Sequence, residues 1–209
     1  MAVIVSAAQA ISAFHQTSLQ ELQTKILDAQ AVPQMVVRVQ RIRDPKTNAP
    51  LSTNIIVENR GGMVREFSAI VAPTVMALVN NGAVAQTGAI PVSGYFSETN
   101  VTQDGAGELL FLRGANNTQR ETQLAHDINV LLNRDGGSAL VASKTVLQLD
   151  YRDVLGRPHT EYYEVSLEGV KRKEASAVKD ELESAKNAVD FEAVTPDALL
   201  KVAARNPLK

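Results

Sequence analysis

The sequence predicts a mainly β protein: an antiparallel β-sandwich over residues 33–169, with an N-terminal helix within 1–32 and a C-terminal helical extension over 170–209. Three observations carry that prediction. Residues 144–168 alternate apolar and polar side chains with the period of two that half-buried strands require. Clusters of Gly, Pro, Asn and Asp cut the middle of the chain into runs too short for long helices between strands. Both ends, in contrast, are rich in strong helix formers and nearly free of Gly and Pro.

In chain order, Met1 to Ala31 contains neither Gly nor Pro, and a helix is expected from Ser6 to Gln30. Its apolar positions recur at helical spacing, first Ile4, Ala7, Ile11 and Phe14, then Leu19, Leu22, Ile26 and Ala29. No basic residues precede the apolar start and Ser6, Gln9 and Ser12 interrupt it, so neither an export signal nor a membrane span is expected. Pro33 ends the helix. Met35 to Ile42 and Leu51 to Glu58 read as a strand pair, with Asn59-Arg60-Gly61-Gly62 as the turn that follows. Val64 opens another strand that Pro73 is expected to break. Asn80 to Gly88 reads as a flexible, small-residue stretch; Gly94 to Val101 and Glu108 to Arg113 read as short strands. Thr122 to Asn133 fits either period, a helix through Leu124, Ile128, Leu131 and Leu132 or a strand through Ile128, Val130 and Leu132.

The clearest element is the hairpin from Lys144 to Glu168. Its turn is Asp153-Val154-Leu155-Gly156, where Asp accepts a backbone hydrogen bond and Gly tolerates positive φ. Past Gly169, Val178, Leu182, Ala185 and Val189 form one narrow apolar stripe on a helix expected over Lys171 to Ala188. Thr195-Pro196-Asp197 starts a last helix, through Ala204.

Composition narrows the function. The chain is 44% hydrophobic but only 4% aromatic with no Trp, so its core must come from Val, Leu, Ile and Ala. Absence of Cys excludes disulfides and thiolate metal sites, and a soluble intracellular or virion setting is expected. A net charge of −2 argues against general nucleic-acid binding. Arg38, Arg41, Arg43 and Lys46 read as a solvated strand edge rather than a phosphate site.

Catalytic motifs are lacking. His15, His126 and His159 show no metal-ligand spacing, and His126-Asp127 with Ser138 or Ser143 lacks a G-x-S-x-G elbow. The one set with metal-binding chemistry is Asp150, Asp153 and Glu161 with His159, the candidate centre of a metal-dependent hydrolase. Cross-strand pairing with Arg152 and Arg157, worth up to about 1 kcal/mol per pair, explains the same residues without a cation. The expectation is a non-enzyme with no cofactor and no metal.

The run Val57-Glu58-Asn59-Arg60-Gly61-Gly62, the late strand Leu147 to Asp153 and the following Leu155-Gly156-Arg157 resemble immunoglobulin-like β-sandwich modules of uncharacterised bacterial and phage proteins, over Pro33 to Gly169. That resemblance implies an Ig-like or jelly-roll-like binding or scaffolding module without inherited catalytic residues. The apolar stripes then become the expected protein interface: Ile11, Phe14, Leu19, Leu22 and Ile26 at one end, Val178, Leu182 and Val189 at the other. They suit a homo-oligomer or a larger assembly, such as a phage virion. A monomeric protein-binding module is the alternative.

Overall fold

The computed structural model describes residues 16–24, 32–80, 85–133 and 136–206, so Ile11, Phe14 and Ile26 lie outside the described residues. A helix, α1, covers residues 16–24. The strands are β1 (Met35–Arg43), β2 (Pro50–Asn80), β3 (Ala85–Ser93), β4 (Glu98–Val101) and β5 (Gly105–Arg113). After α2 (Asn117–Leu132) come β6 (Ser138–Asp153), β7 (Pro158–Ser166) and β8 (Gly169–Lys173). The chain closes with α3 (Ala175–Ser184), the two-residue β9 (Val189–Asp190) and α4 (Pro196–Ala203). Among the described residues no helix is long and apolar enough to cross a membrane.

The fold is mainly antiparallel β, as expected, but its strands form one open sheet rather than the two layers of a sandwich. Its main path is β4-β5-β2-β6-β7-β8, with β1 and β3 also on β2. The reason lies in β2, whose 31 residues run through two positions that the sequence marks as breaks. Its first half pairs with β1 and β5, its second half with β6 and, from Thr74 onward, β3. One strand thus serves both halves of the molecule.

Each apparent break has a local explanation. Asn59-Arg60-Gly61-Gly62 bends β2 without ending it, because residues 32–34 run alongside and accept from the Arg60 and Gly62 amides. A Cβ at Gly61 would sit 2.3 Å from the Val32 carbonyl oxygen, so only glycine permits that approach. At Pro73, which is buried, no strand pairs on the flank opposite β6, since pairing with β3 begins one residue later. The missing N–H therefore costs no ladder bond.

Two other expectations change, and one open choice is decided. The small-residue stretch before Val92 is strand β3, packed so closely under α4 that a Cβ at Gly88 would lie 2.7 Å from the Ala203 amide nitrogen. The ambiguous 122–133 segment is helical, within α2 to Leu132 with Asn133 as its C-cap, and the helix buries Leu124 and Ile128. Residues 171–173, expected as the start of a helix, instead belong to β8, with Val170 opposite Val165 and Lys171 opposite Glu164.

The core has two main clusters. One gathers Ile55, Val57, Val64, Phe67, Leu110, Leu112, Leu147 and Leu149 with Tyr151 and Tyr163. The other packs Val75, Ala77 and Val79 of β2 against Leu124 and Ile128 of α2 and Leu199 and Ala203 of α4, with Phe191 and Val194 filling between. The C-terminal segment therefore contributes Phe191, Val194, Leu199 and Ala203 to this core. Thr195 caps α4 by accepting from the Ala198 amide, with Pro196 in the first turn.

Candidate interaction surface

Alternation along β2 sets what the molecule presents to solvent. Val75, Ala77 and Val79 face α2 and α4, which puts Thr74, Met76 and Leu78 on the opposite face. Register with β6 brings Leu140 directly across from Leu78 and Ala142 across from Met76; register with β3 adds Thr87 and Ala89 on the other side. Leu78 and Leu140 remain 45% and 55% exposed, and Leu167, on the turn after β7, is 62% exposed. Together they line a shallow groove of about 390 Å³. These are central strands, whose solvated face ordinarily carries polar and charged side chains. Here Lys144, Glu164 and Glu168 also line the groove, and Lys144 is held by Glu181 of α3 at 2.7 Å.

Helix α3 covers the adjoining part of that same face. Val178 is buried on Ala72 and Val146, with Leu182 and Ala185 packed beside them. The expected C-terminal stripe thus packs largely within the chain, with Val178 fully buried there. Val189 is 46% exposed and lies in β9, which bridges to β3. At the other end all nine described residues of α1 are exposed, with Leu19 at 59% and Leu22 at 58%. Leu78, Leu140 and Leu167 were not singled out from sequence, since only the register shows that they share a face.

The candidate metal residues are arranged differently from a cation site. Asp153 is buried, and its Oδ1 accepts from the Leu155 and Arg157 amides. Its Oδ2 accepts from Arg157 Nε at 2.6 Å and lies 3.2 Å from His159 Nε2. Burial works to raise its pKa, but the donors from Arg157 and His159 outweigh burial and hold the carboxyl well below the usual carboxylate range. Asp150 instead accepts from Gln148 and Thr160, and Glu161 from the hydroxyls of Tyr151 and Tyr163. Among the described residues no three His, Asp or Glu side chains are grouped to hold a metal ion. The Asp153 cluster closes the hairpin turn.

A second polar cluster was not foreseen. The Tyr95 hydroxyl donates to Glu121 Oε1 at 2.6 Å and lies 2.7 Å from Ser143 Oγ. It forms the floor of a cleft of about 220 Å³ between β1, β2 and β6, with Arg41 and Arg43 among its lining residues. That is smaller than the 300 to 1,000 Å³ or so of ordinary small-molecule sites. Ser143, once a possible nucleophile, is engaged here with Tyr95. The network ties α2 to β6 and to the bend before β4. Burial, with the Glu121 charge adjacent, pushes the Tyr95 phenol up, so it stays a donor.

Burial also pushes the Glu121 carboxyl up, against the opposing hydrogen bonds of Tyr95 and Ser143. A carboxyl raised on folding contributes its full stability below its unfolded value of 4.5 and loses it as pH climbs through the folded value. The stability of wild type relative to Glu121→Gln is therefore expected to fall from pH 4 to pH 8, read from urea midpoints at both pH values. An equal difference at the two would show that Glu121 does not titrate with folding.

No family model, no curated protein and no solved structure matches this chain.

Proposed function

We propose that this chain is a non-catalytic assembly subunit, a component of a homo-oligomer or of a larger complex such as a virion, which binds protein through α1 and the uncovered outer face of its sheet. The observation that carries this reading is α1. All nine described residues of α1 are exposed, so the apolar stripe that Leu19 and Leu22 form is uncovered. Leu19 and Leu22, one helical turn apart, need a surface to cover them. The leucines of the sheet are a second exposed apolar feature. The polar clusters favour a structural role, because the oxygens of Asp153 and the hydroxyl of Tyr95 are committed to partners within the fold.

Magnitude sets the conditions for a test. The exposed leucines are already about half covered, so each adds roughly 1 kcal/mol on full burial. Five of them support only weak association once rigid-body costs are met. Light scattering at several hundred micromolar is expected to show a mass above one chain for the wild type and a single chain for Leu19→Asp/Leu22→Asp. The thermal unfolding midpoint of the variant in dilute solution should be unchanged, since both sites are exposed. A wild type that stays monomeric throughout would sink the reading of self-assembly.

A further inference from the structure

We infer that the cleft floored by Tyr95 and Glu121 binds a small zwitterion, with the ligand's ammonium group at Glu121 and its carboxylate at Arg41 and Arg43; this goes beyond the assembly reading and does not depend on it. The cleft lies where the two core clusters meet. Along β6 the inward positions run Val141, Ser143, Thr145, Leu147 and Leu149, of which Val141 belongs to one cluster and Leu147 and Leu149 to the other. The two between them carry hydroxyls, and both line the cleft. A polar interruption of an otherwise apolar strand face, placed around a void, suits an occupant that forms hydrogen bonds.

Charge selects that occupant. Glu121 is 7% exposed, its Oε1 accepts from the neutral Tyr95 hydroxyl, and among the described residues no cation pairs with it. Buried carboxylates are ordinarily paired with a cation. The same isolation lets burial push this carboxyl up against the hydrogen bonds of Tyr95 and Ser143. At the mouth the imbalance is reversed. Arg41 follows Val37 and Val39 on one face of β1, Arg43 ends the strand, and both are exposed. Arg41 donates to the Leu167 carbonyl at 3.5 Å and Arg43 to that of Asn48 at 3.1 Å. Among the described residues neither meets a carboxylate, unlike Arg113, Arg152 and Arg157. A simple anion would leave Glu121 unpaired, and a simple cation would lie under two guanidinium groups; a molecule with opposite charges at its two ends satisfies both. Val39, Ile55 and Val165 supply apolar wall for the carbons joining those ends, and a volume of about 220 Å³ keeps the molecule small.

Titration of the full chain with glycine, β-alanine, γ-aminobutyrate, δ-aminovalerate and ε-aminocaproate, followed by amide chemical shifts, tests this, because the series varies only the spacing of the two charges. One member is expected to bind saturably and to shift the amides of Glu121, Ser143 and Thr145. Butylamine and butyrate, with one charge each, should bind at least about tenfold more weakly. Glu121→Gln and Arg41→Ala/Arg43→Ala should each weaken the best member by about tenfold or more, as loss of a charge-assisted hydrogen bond does. Both arginines are exposed, so the double variant keeps the test decisive even where thermal melts show that Glu121→Gln has lost its fold. Absence of binding by every member makes the cleft a solvent-filled gap and overturns the proposal. Binding that survives the arginine changes, or that butylamine or butyrate matches, overturns it as well. None of these results bears on the mass of the assembly, so that reading stands or falls separately.

Discussion

A chain ending at Gly169 is expected to lose cooperative unfolding altogether. The cut removes Phe191, Val194, Leu199 and Ala203 from the cluster that also holds Val75, Leu124 and Ile128, and takes Val178 off Ala72 and Val146. The larger of these side chains contribute about 1.5–3 kcal/mol each when fully buried, against a total stability of roughly 5–15 kcal/mol for an ordinary domain. Loss of four or five of them consumes most or all of that margin. Removal of β8 also leaves the outer flank of β7 unpaired from Tyr162 to Ser166. A truncated chain is then expected to aggregate, with no sigmoidal transition in circular dichroism on heating. As a graded control, Leu199→Ala in the full chain should cost about 2–5 kcal/mol and keep a cooperative transition. A soluble 1–169 chain with a sharp melt would mean that the C-terminal segment is dispensable after all.

The hairpin of β6 and β7 was legible because two local signals agreed: alternation from Thr145 to Arg152, and an Asp-x-x-Gly turn whose Gly156 has φ of 77°. The antiparallel class followed from the same kind of signal repeated along the chain. Where the reading failed, long-range packing overrode local preference. Gly61 and Pro73 look like interruptions in any window of ten residues; the first admits a neighbouring segment and the second falls one residue before β3 joins the flank away from β6. Strand β3 has too few large apolar residues to show a pattern, because α4 sits almost on its backbone at Gly88. Val170 to Lys173 could extend the helix of residues 175–184, and only pairing with β7 makes it a strand.

The surface was half legible for a similar reason. A helical stripe can be read along one segment, so Leu19 and Leu22 were identifiable, and they are exposed. Val178 was identifiable too, but the sheet it covers, Ala72 with Val146, joins residues far apart in sequence. The same holds for Leu78 and Leu140: a patch on a sheet belongs to several strands, and a one-residue slip in register would move either leucine to the other face. The Tyr95, Glu121 and Ser143 network joins a bend, a helix and a strand, and no spacing in the sequence announces it.

Asn59→Ala is expected to cost about 2–4 kcal/mol, far more than a residue in an ordinary turn. Asn59 is 2% exposed and sits at the point where β2 bends. Its Oδ1 accepts from the Gln34 amide at 3.1 Å and the Gly61 amide at 3.0 Å; its Nδ2 donates to the Gly62 carbonyl at 2.6 Å and, more weakly, to Gly105 at 3.3 Å. One side chain thus satisfies backbone groups from three separate segments. Truncation takes this partner from four part-buried backbone bonds, at about 0.5–1.5 kcal/mol for each bond lost. Asn59→Asp should fail as well, because a carboxylate cannot donate to the two carbonyls and would bring a charge into a buried site. Arg60→Ala, one residue on, removes only an exposed pairing with Glu58 and is expected to change stability by less than about 1 kcal/mol. Urea unfolding of the three variants decides the matter: if Asn59→Ala and Arg60→Ala shift the midpoint equally, the bend is held by the glycines alone and the asparagine is incidental to it.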